Sequence, residues 1–184
     1  RTPSGRGSAG AAPRAALARL DAGWWLAPAW AGEPVPTFAN VARWLRANGR
    51  LANIEIKPSP GREAETGAQV AIAAALAWHD ADVPPLLSSF EPEALAAARR
   101  AVPGLPRALL LDALPDDWLE RVRALDCVAL DANHRVLSPE VVARARASGL
   151  RVLAYTVNDP ARAATLRGWG VDGVITDAVD TIRP

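Results

Sequence analysis

Leu51-Ala52-Asn53-Ile54-Glu55-Ile56-Lys57, closed by Pro58, reads as a short strand set between two helices. Alternation puts Asn53, Glu55 and Lys57 on one face and Ile54 and Ile56 on the other. Pro58 ends the ladder because it has no N–H to donate. On the N-terminal side, 37–48 carries Val41, Trp44 and Leu45 at helical spacing, with Gly49 as the stop. On the C-terminal side an alanine-rich helix covers 63–81. Further out the same rhythm continues. Strands are expected at 85–90, 107–112, 127–132, 151–157 and 173–176. Helices are expected at 92–102, 116–125, 138–149 and from Asn158 or Asp159 to near Gly170. Pro92 and Pro139 suit the first helical position, and Ser138 suits the N-cap before it.

Six strands alternating with helices at intervals of about 20–33 residues predict βα units and a parallel sheet. Asn48-Gly49 is a hairpin-type dipeptide, but it lies between a helix and a strand. Periodicity alone leaves both a doubly wound sheet and a (β/α)8 barrel open. No glycine-rich phosphate fingerprint follows any strand, which argues against a nucleotide site.

The chain has 184 residues, half of them hydrophobic, with 21 basic and 20 acidic side chains and a net charge of +1. That length fits one domain spanning 1–184. The charge balance offers no basic excess to displace counterions, so nucleic acid is not expected as a partner. No apolar run of 18 residues is present, so no membrane-spanning helix is expected. The single cysteine, Cys127, excludes a disulfide framework and suits a reducing, cytoplasmic location. The sequence contains no methionine, and 1–10 lacks the apolar segment of a signal peptide, so it reads as a fragment. Arg1, Arg6, Arg14 and Arg19, without an acid between them, suit either a basic arm or a surface loop, and the nearby glycines and serines favour the loop. Trp24, Trp25 and Trp30 suit either a lid over a ligand or a buried cap, with the cap preferred.

In parallel α/β folds, function gathers at the C-terminal ends of strands, and here those ends are polar. Glu55 and Lys57 would face the interior of a closed barrel, where a carboxylate and an ammonium are costly unless paired or bound. A purely structural Glu55–Lys57 ion pair on an edge strand is the competing reading. Lys57 is the only lysine beside 20 arginines, which favours a chemical reason for the compact point charge. The other strand ends carry Ser88, Ser89 and Phe90; Asp112; Asn133 and His134; Tyr155, Thr156 and Asn158; Thr176 and Asp177. His134 suits a general base or a structural histidine, and His79 a surface position. No G-x-S-x-G elbow surrounds Ser89, Asp112 and Asp177 suit helix caps, and no Cys/His metal spacing occurs.

With Pro85-Leu86-Leu87-Ser88-Ser89-Phe90, Tyr155-Thr156-Val157-Asn158 and Trp169-Gly170-Val171-Asp172-Gly173, the stretch Asn53-Ile54-Glu55-Ile56-Lys57-Pro58 resembles the bacterial glycerophosphodiester phosphodiesterases. Leu20-Asp21-Ala22-Gly23-Trp24 and Gly32-Glu33-Pro34 extend the likeness along the whole chain. The resemblance implies a (β/α)8 TIM barrel with six of its eight βα units present and the first two strands missing. It implies hydrolysis of glycerophosphodiesters to sn-glycerol 3-phosphate and an alcohol, within glycerol and lipid metabolism. The family binds Mg²⁺ or Ca²⁺ through three carboxylates, of which Glu55 matches the third. Lys57 matches a residue that neutralises charge growing on the phosphate. Tyr155 matches an aromatic of the pocket wall, and Phe90, Asn133 and His134 are further candidates for the substrate cleft. The family's His-Arg-Gly, Glu-x-Asp and His-Asp motifs do not occur here. A barrel of about 250 residues would place them in roughly 65 preceding residues. The chain alone is therefore expected to be nearly inactive. A non-catalytic glycerophosphate-binding barrel remnant is the main alternative, and a Schiff-base enzyme using Lys57 is another.

Overall fold

The computed structural model describes residues 4, 5, 7 and 9–183. They divide into two compact units, 1–50 and 51–184.

In the first unit, Arg1 and Arg6 of the expected basic segment lie outside the described residues. A 3-10 turn at Ala9–Ala11 and α1 (Arg14–Leu17) replace the loop expected beyond them. The reason is local: the glycines end at Gly10, and 11–18 is mostly alanine, the best helix former. The Asp21 carboxylate then gathers the loop that follows. It accepts hydrogen bonds from the backbone N–H groups of Gly23 (2.9 Å), Trp24 (3.0 Å) and Gly32 (2.7 Å), which hold it below the ordinary carboxylate range, the Gly32 bond most of all. Trp24, Trp25 and Trp30 are 54%, 42% and 52% exposed, so the buried cap expected of them does not form. Helix α2 (Phe38–Ala47) starts at Thr37, whose hydroxyl accepts from Asn40 N–H at 3.2 Å.

The second unit is the βα alternation. Its elements are β1 (Asn53–Glu55), α3 (Glu63–Ala77), β2 (Leu86–Ser89), α4 (Pro92–Ala101), β3 (Arg107–Leu111), α5 (Trp118–Ala124), β4 (Ala129–Asn133), α6 (Pro139–Ala147), β5 (Arg151–Tyr155), α7 (Pro160–Gly168) and β6 (Gly173–Val174). Every expected strand and helix is present; most are shorter than expected, by at most four residues at an end, and β4 runs one residue past its expected end to Asn133. The six strands form one sheet in the order β1-β2-β3-β4-β5-β6, and every pairing is parallel. A sheet that keeps chain order while its strands run parallel must return over one face each time, so the helices line that face.

Alternation sorts the two faces. Ile56, Leu87, Leu109, Leu130, Val152 and Ala154 point to the helix side and are buried in two apolar clusters. One packs Ile56 and Leu87 against Ala71 and Ala74 of α3 and Ala94 and Ala98 of α4. The other joins β3–β5 to α5, α6 and α7. Helices α3 and α4 approach closely at Gly67, where an added Cβ would come 2.1 Å from the Ala94 carbonyl oxygen. The side chains of Ser138 and Asp159 cap α6 and α7, accepting from Val141 N–H (3.3 Å) and Ala161 N–H (2.9 Å). Asp112 and Asp177 do not act as caps. Each accepts instead from an asparagine beside it: Asp112, just past β3, from Asn133 at the end of β4 (2.8 Å), and Asp177, past β6, from Asn158 in the loop after β5 (3.1 Å). Cys127 is buried, and desolvation pushes its thiol up to about 12, which leaves it inert.

Candidate functional site

The face opposite the helices carries the polar residues. Asn53, Glu55 and Lys57 of β1 and its end, Ser88 and Phe90 of β2 and its end, Leu110, Asp131, Tyr155, Thr156 and Ile175 line one hollow of about 200 Å³. Glu55 stands on one edge of the sheet and Ile175 just past the strand at the other edge, so the sheet curls until both reach the same cleft. The structure is thus an α/β half-barrel, six strands curled around a cleft at their C-terminal ends.

Each site residue is placed by strand period. On β1, Ile56 is fixed in the core, which commits Glu55 and Lys57 to the cleft. Glu55 Oε2 lies 3.2 Å from Lys57 Nζ, with the side chains 34% and 75% exposed. Both halves of the earlier expectation therefore meet here: a salt bridge on an edge strand, and a cleft with the only lysine at its rim. So exposed a pair adds little to stability, and an anion can take the ammonium at small cost.

Phe90 and Tyr155 pack edge to face across the cleft wall, with ring centroids 5.7 Å apart. The Tyr155 hydroxyl is pushed up, by desolvation first and then by Asp112, Asp131 and Glu55, while the nearby Asn133 backbone draws it down; it makes no well-formed hydrogen bond. Asn133 and His134 do not line the hollow. Asn133 pairs in register with Tyr155, and its side chain is spent on Asp112 and on Arg135 N–H. His134 is held by Arg162, whose Nε donates to its Nδ1 (3.3 Å) and whose Nη2 donates to its carbonyl. Arg162 also stacks over the Trp169 ring at 4.6 Å. Burial, then the charges of Arg162 and Arg135, lower the His134 imidazole. His79 lies on an exposed turn after α3.

Asp131 was not expected in the site. It is fully buried in the cleft floor, and neither carboxyl oxygen has a well-formed hydrogen bond. An unpaired buried polar group costs on the order of 1–3 kcal/mol. Desolvation pushes the carboxyl up to about 7; the nearby Asn53 amide draws it down, and the Glu55 carboxylate adds to the rise. The signal in the sequence is the alternation Ala129, Asp131, Asn133, which puts an acid on the inner face of a strand.

Among the described residues, no three His, Cys, Asp or Glu side chains come together to hold a metal ion. Glu55 is already shared with Lys57, and Asp131, its carboxyl raised to about 7, is only partly ionised near neutrality. Two carboxyls do not by themselves supply the six to eight oxygens of Ca²⁺, and Mg²⁺ would need water and substrate phosphate to complete its octahedron around them. Among the described residues, the carboxyls present do not complete a divalent-cation site.

The family pattern for glycerophosphoryl diester phosphodiesterases matches residues 1–181. The chain belongs to this family of phosphoric diester hydrolases. A glycerophosphodiester phosphodiesterase of Bacillus subtilis (strain 168) is 30% identical over 198 residues, covering 98% of this chain and 66% of that protein. One from Caldanaerobacter subterraneus subsp. tengcongensis is 27% identical over 167 residues, covering 90% of this chain and 68% of that protein. The chain spans about two thirds of the length of these curated relatives. The solved structure of an Oleispira antarctica phosphodiesterase, in complex with the product sn-glycerol-3-phosphate, superposes with a TM-score of 0.88 at 33% identity. That match covers 97% of this chain and 72% of the other. No helix among the described residues is long and apolar enough to cross a membrane.

Proposed function

We propose that 1–184 form the C-terminal three quarters of a single phosphodiesterase barrel that hydrolyses glycerophosphodiesters to sn-glycerol 3-phosphate and an alcohol in the cytoplasm. The observation that carries this reading is the cleft itself, in which the sole lysine stands at the rim beside Glu55. The likeness to a phosphodiesterase solved with glycerol 3-phosphate supports it. Lys57 holds the phosphate and offsets the charge that grows on it as the ester bond breaks, a preplaced cation acting where charge develops. Glu55 keeps that ammonium oriented, and it is the one exposed carboxylate that an Mg²⁺ or Ca²⁺ ion would meet in this cleft. Phe90 and Tyr155 form the apolar wall, and Asn133 and His134 fix the loop beside Tyr155. The partner is a small molecule.

Among the described residues, no imidazole lines the cleft. His79 is on the exposed turn after α3 and His134 is engaged by Arg162. General acid–base transfer is commonly worth about 10²–10⁴-fold, so these 184 residues alone are expected to bind glycerol 3-phosphate with little turnover. The same observation favours the second reading, a binding protein without hydrolysis.

The test is twofold. Calorimetry should show saturable binding of sn-glycerol 3-phosphate, weakened at least about tenfold in K57A. Release of glycerol 3-phosphate from glycerophosphocholine with added Mg²⁺ or Ca²⁺ should stay far below that of the Bacillus subtilis relative. Failure to bind overturns the reading of the cleft. Turnover at the relative's rate overturns the inactivity of the chain.

A further inference from the structure

Lys57 stands two residues beyond the last paired residue of β1, on a strand that pairs on one side only among the described strands. Pro58 follows it and has no N–H to extend the ladder. An ammonium carried on such an end keeps a fixed place only if the backbone before it is anchored. The anchor is at Ile56. Its N–H donates to the Ser88 carbonyl at 2.7 Å. Its carbonyl, which shares a planar peptide unit with the Lys57 nitrogen, accepts from the Ser89 hydroxyl at 2.8 Å.

Ser89 is fully buried and is not one of the residues that line the hollow. It alternates with Ser88, so its side chain lies on the helix side of β2 and does not meet a ligand in the cleft. Its oxygen also accepts from the Glu91 N–H at 3.0 Å, which closes a tight serine turn around Phe90. The hydroxyl thus gives its one proton to β1 and uses a lone pair on the loop before α4. Phe90, enclosed by that turn, sets its ring edge to face against Tyr155 at 5.7 Å. One oxygen therefore ties the backbone before the cleft's cation to the backbone that carries its aromatic wall. The bond to Ile56 is buried, where losing a partner costs most.

We propose that Ser89 is a positioning residue: its hydroxyl holds Lys57 and Phe90 in place relative to each other, and so sets how tightly the cleft binds a phosphate that Ser89 never touches. This rests on the reading of Lys57 as the phosphate-binding cation. Without the hydroxyl, the Ile56 carbonyl and the Glu91 N–H lose their shared partner, the end of β1 frays from β2, and the ammonium no longer stands where the phosphate needs it.

The sole lysine provides the readout. The whole chain grown on 13C-lysine has one lysine Cε resonance, next to the Lys57 ammonium. Titration with sn-glycerol 3-phosphate should displace it saturably in the unmodified chain. In S89A the affinity should fall at least about fivefold, and the displacement at saturation by about half or more. S89C keeps the volume and puts a weaker donor in place of the hydroxyl. It should show both changes to a smaller degree, and it reports even where S89A fails to fold. S138A removes the serine hydroxyl that caps α6 and should change neither. Unchanged affinity in S89A, or in S89C where S89A does not fold, overturns the positioning role. So does a loss of affinity with the full Lys57 displacement kept at saturation, or an equal loss of both in S138A. An unmodified chain whose Lys57 resonance does not respond overturns the functional reading on which the inference rests.

Discussion

Asp131 shows how one residue sets a pH response. Its carboxyl is raised from the usual 3.8 to about 7 because burial penalises the charged form. Below about pH 4 the carboxyl is protonated in both the folded and unfolded chain, and it costs the fold nothing extra. Between about 4 and 7 the unfolded chain releases the proton while the folded chain keeps it, so stability falls as pH rises. Above about 7 the penalty is constant. Thermal melts from pH 4 to 8 should therefore show a decline centred in this window, and D131N should flatten it. An identical profile in D131N would place the decline elsewhere. Glu55 and Lys57 were legible in the sequence because a charged alternation at a strand end is unusual. Asp131 was not, because an acid inside an apolar strand looks like a local exception until the strands at Asn53, Ser88 and Tyr155 are seen to meet it.

At the scale of elements, the helix–strand alternation was legible because each strand is a short apolar run ended by Pro, Gly or a polar residue. The ends were less so: β1 pairs only over Asn53–Glu55, although its alternation continues to Lys57. The first unit was the least legible, because few long apolar side chains mark 9–20 and its alanines act through backbone preference alone. Gly67 illustrates what packing adds to preference. Alanine is about 1 kcal/mol better than glycine in a helix interior, yet at this position its Cβ would press on the Ala94 backbone at 2.1 Å. Prying α3 from α4 costs roughly 1–3 kcal/mol by the usual scale of overpacking. G67A should lower the urea midpoint, and an increase would mean that the two helices separate freely.

For the whole molecule, the open sheet is the dominant fact. Among the described strands, β1 and β6 each pair on one side only. Unpaired strand edges template further pairing, and β1 carries only one lysine at its end as a deterrent. Sedimentation of the 184-residue chain should reveal concentration-dependent association through these edges. A monomer throughout would show that the edges are protected.

The order of the sheet also bears on how the polypeptide matures. Because every strand joins the one made just before it, each new pairing closes only a single helix-containing segment, and no strand waits for a distant partner. A ribosome delivering the chain from its N-terminus can add β2 to β1, then β3 to β2, as each emerges. The cleft is the last thing assembled: its floor needs Asp131 and Tyr155 from the later strands to arrive over Glu55 and Ser88 from the earliest.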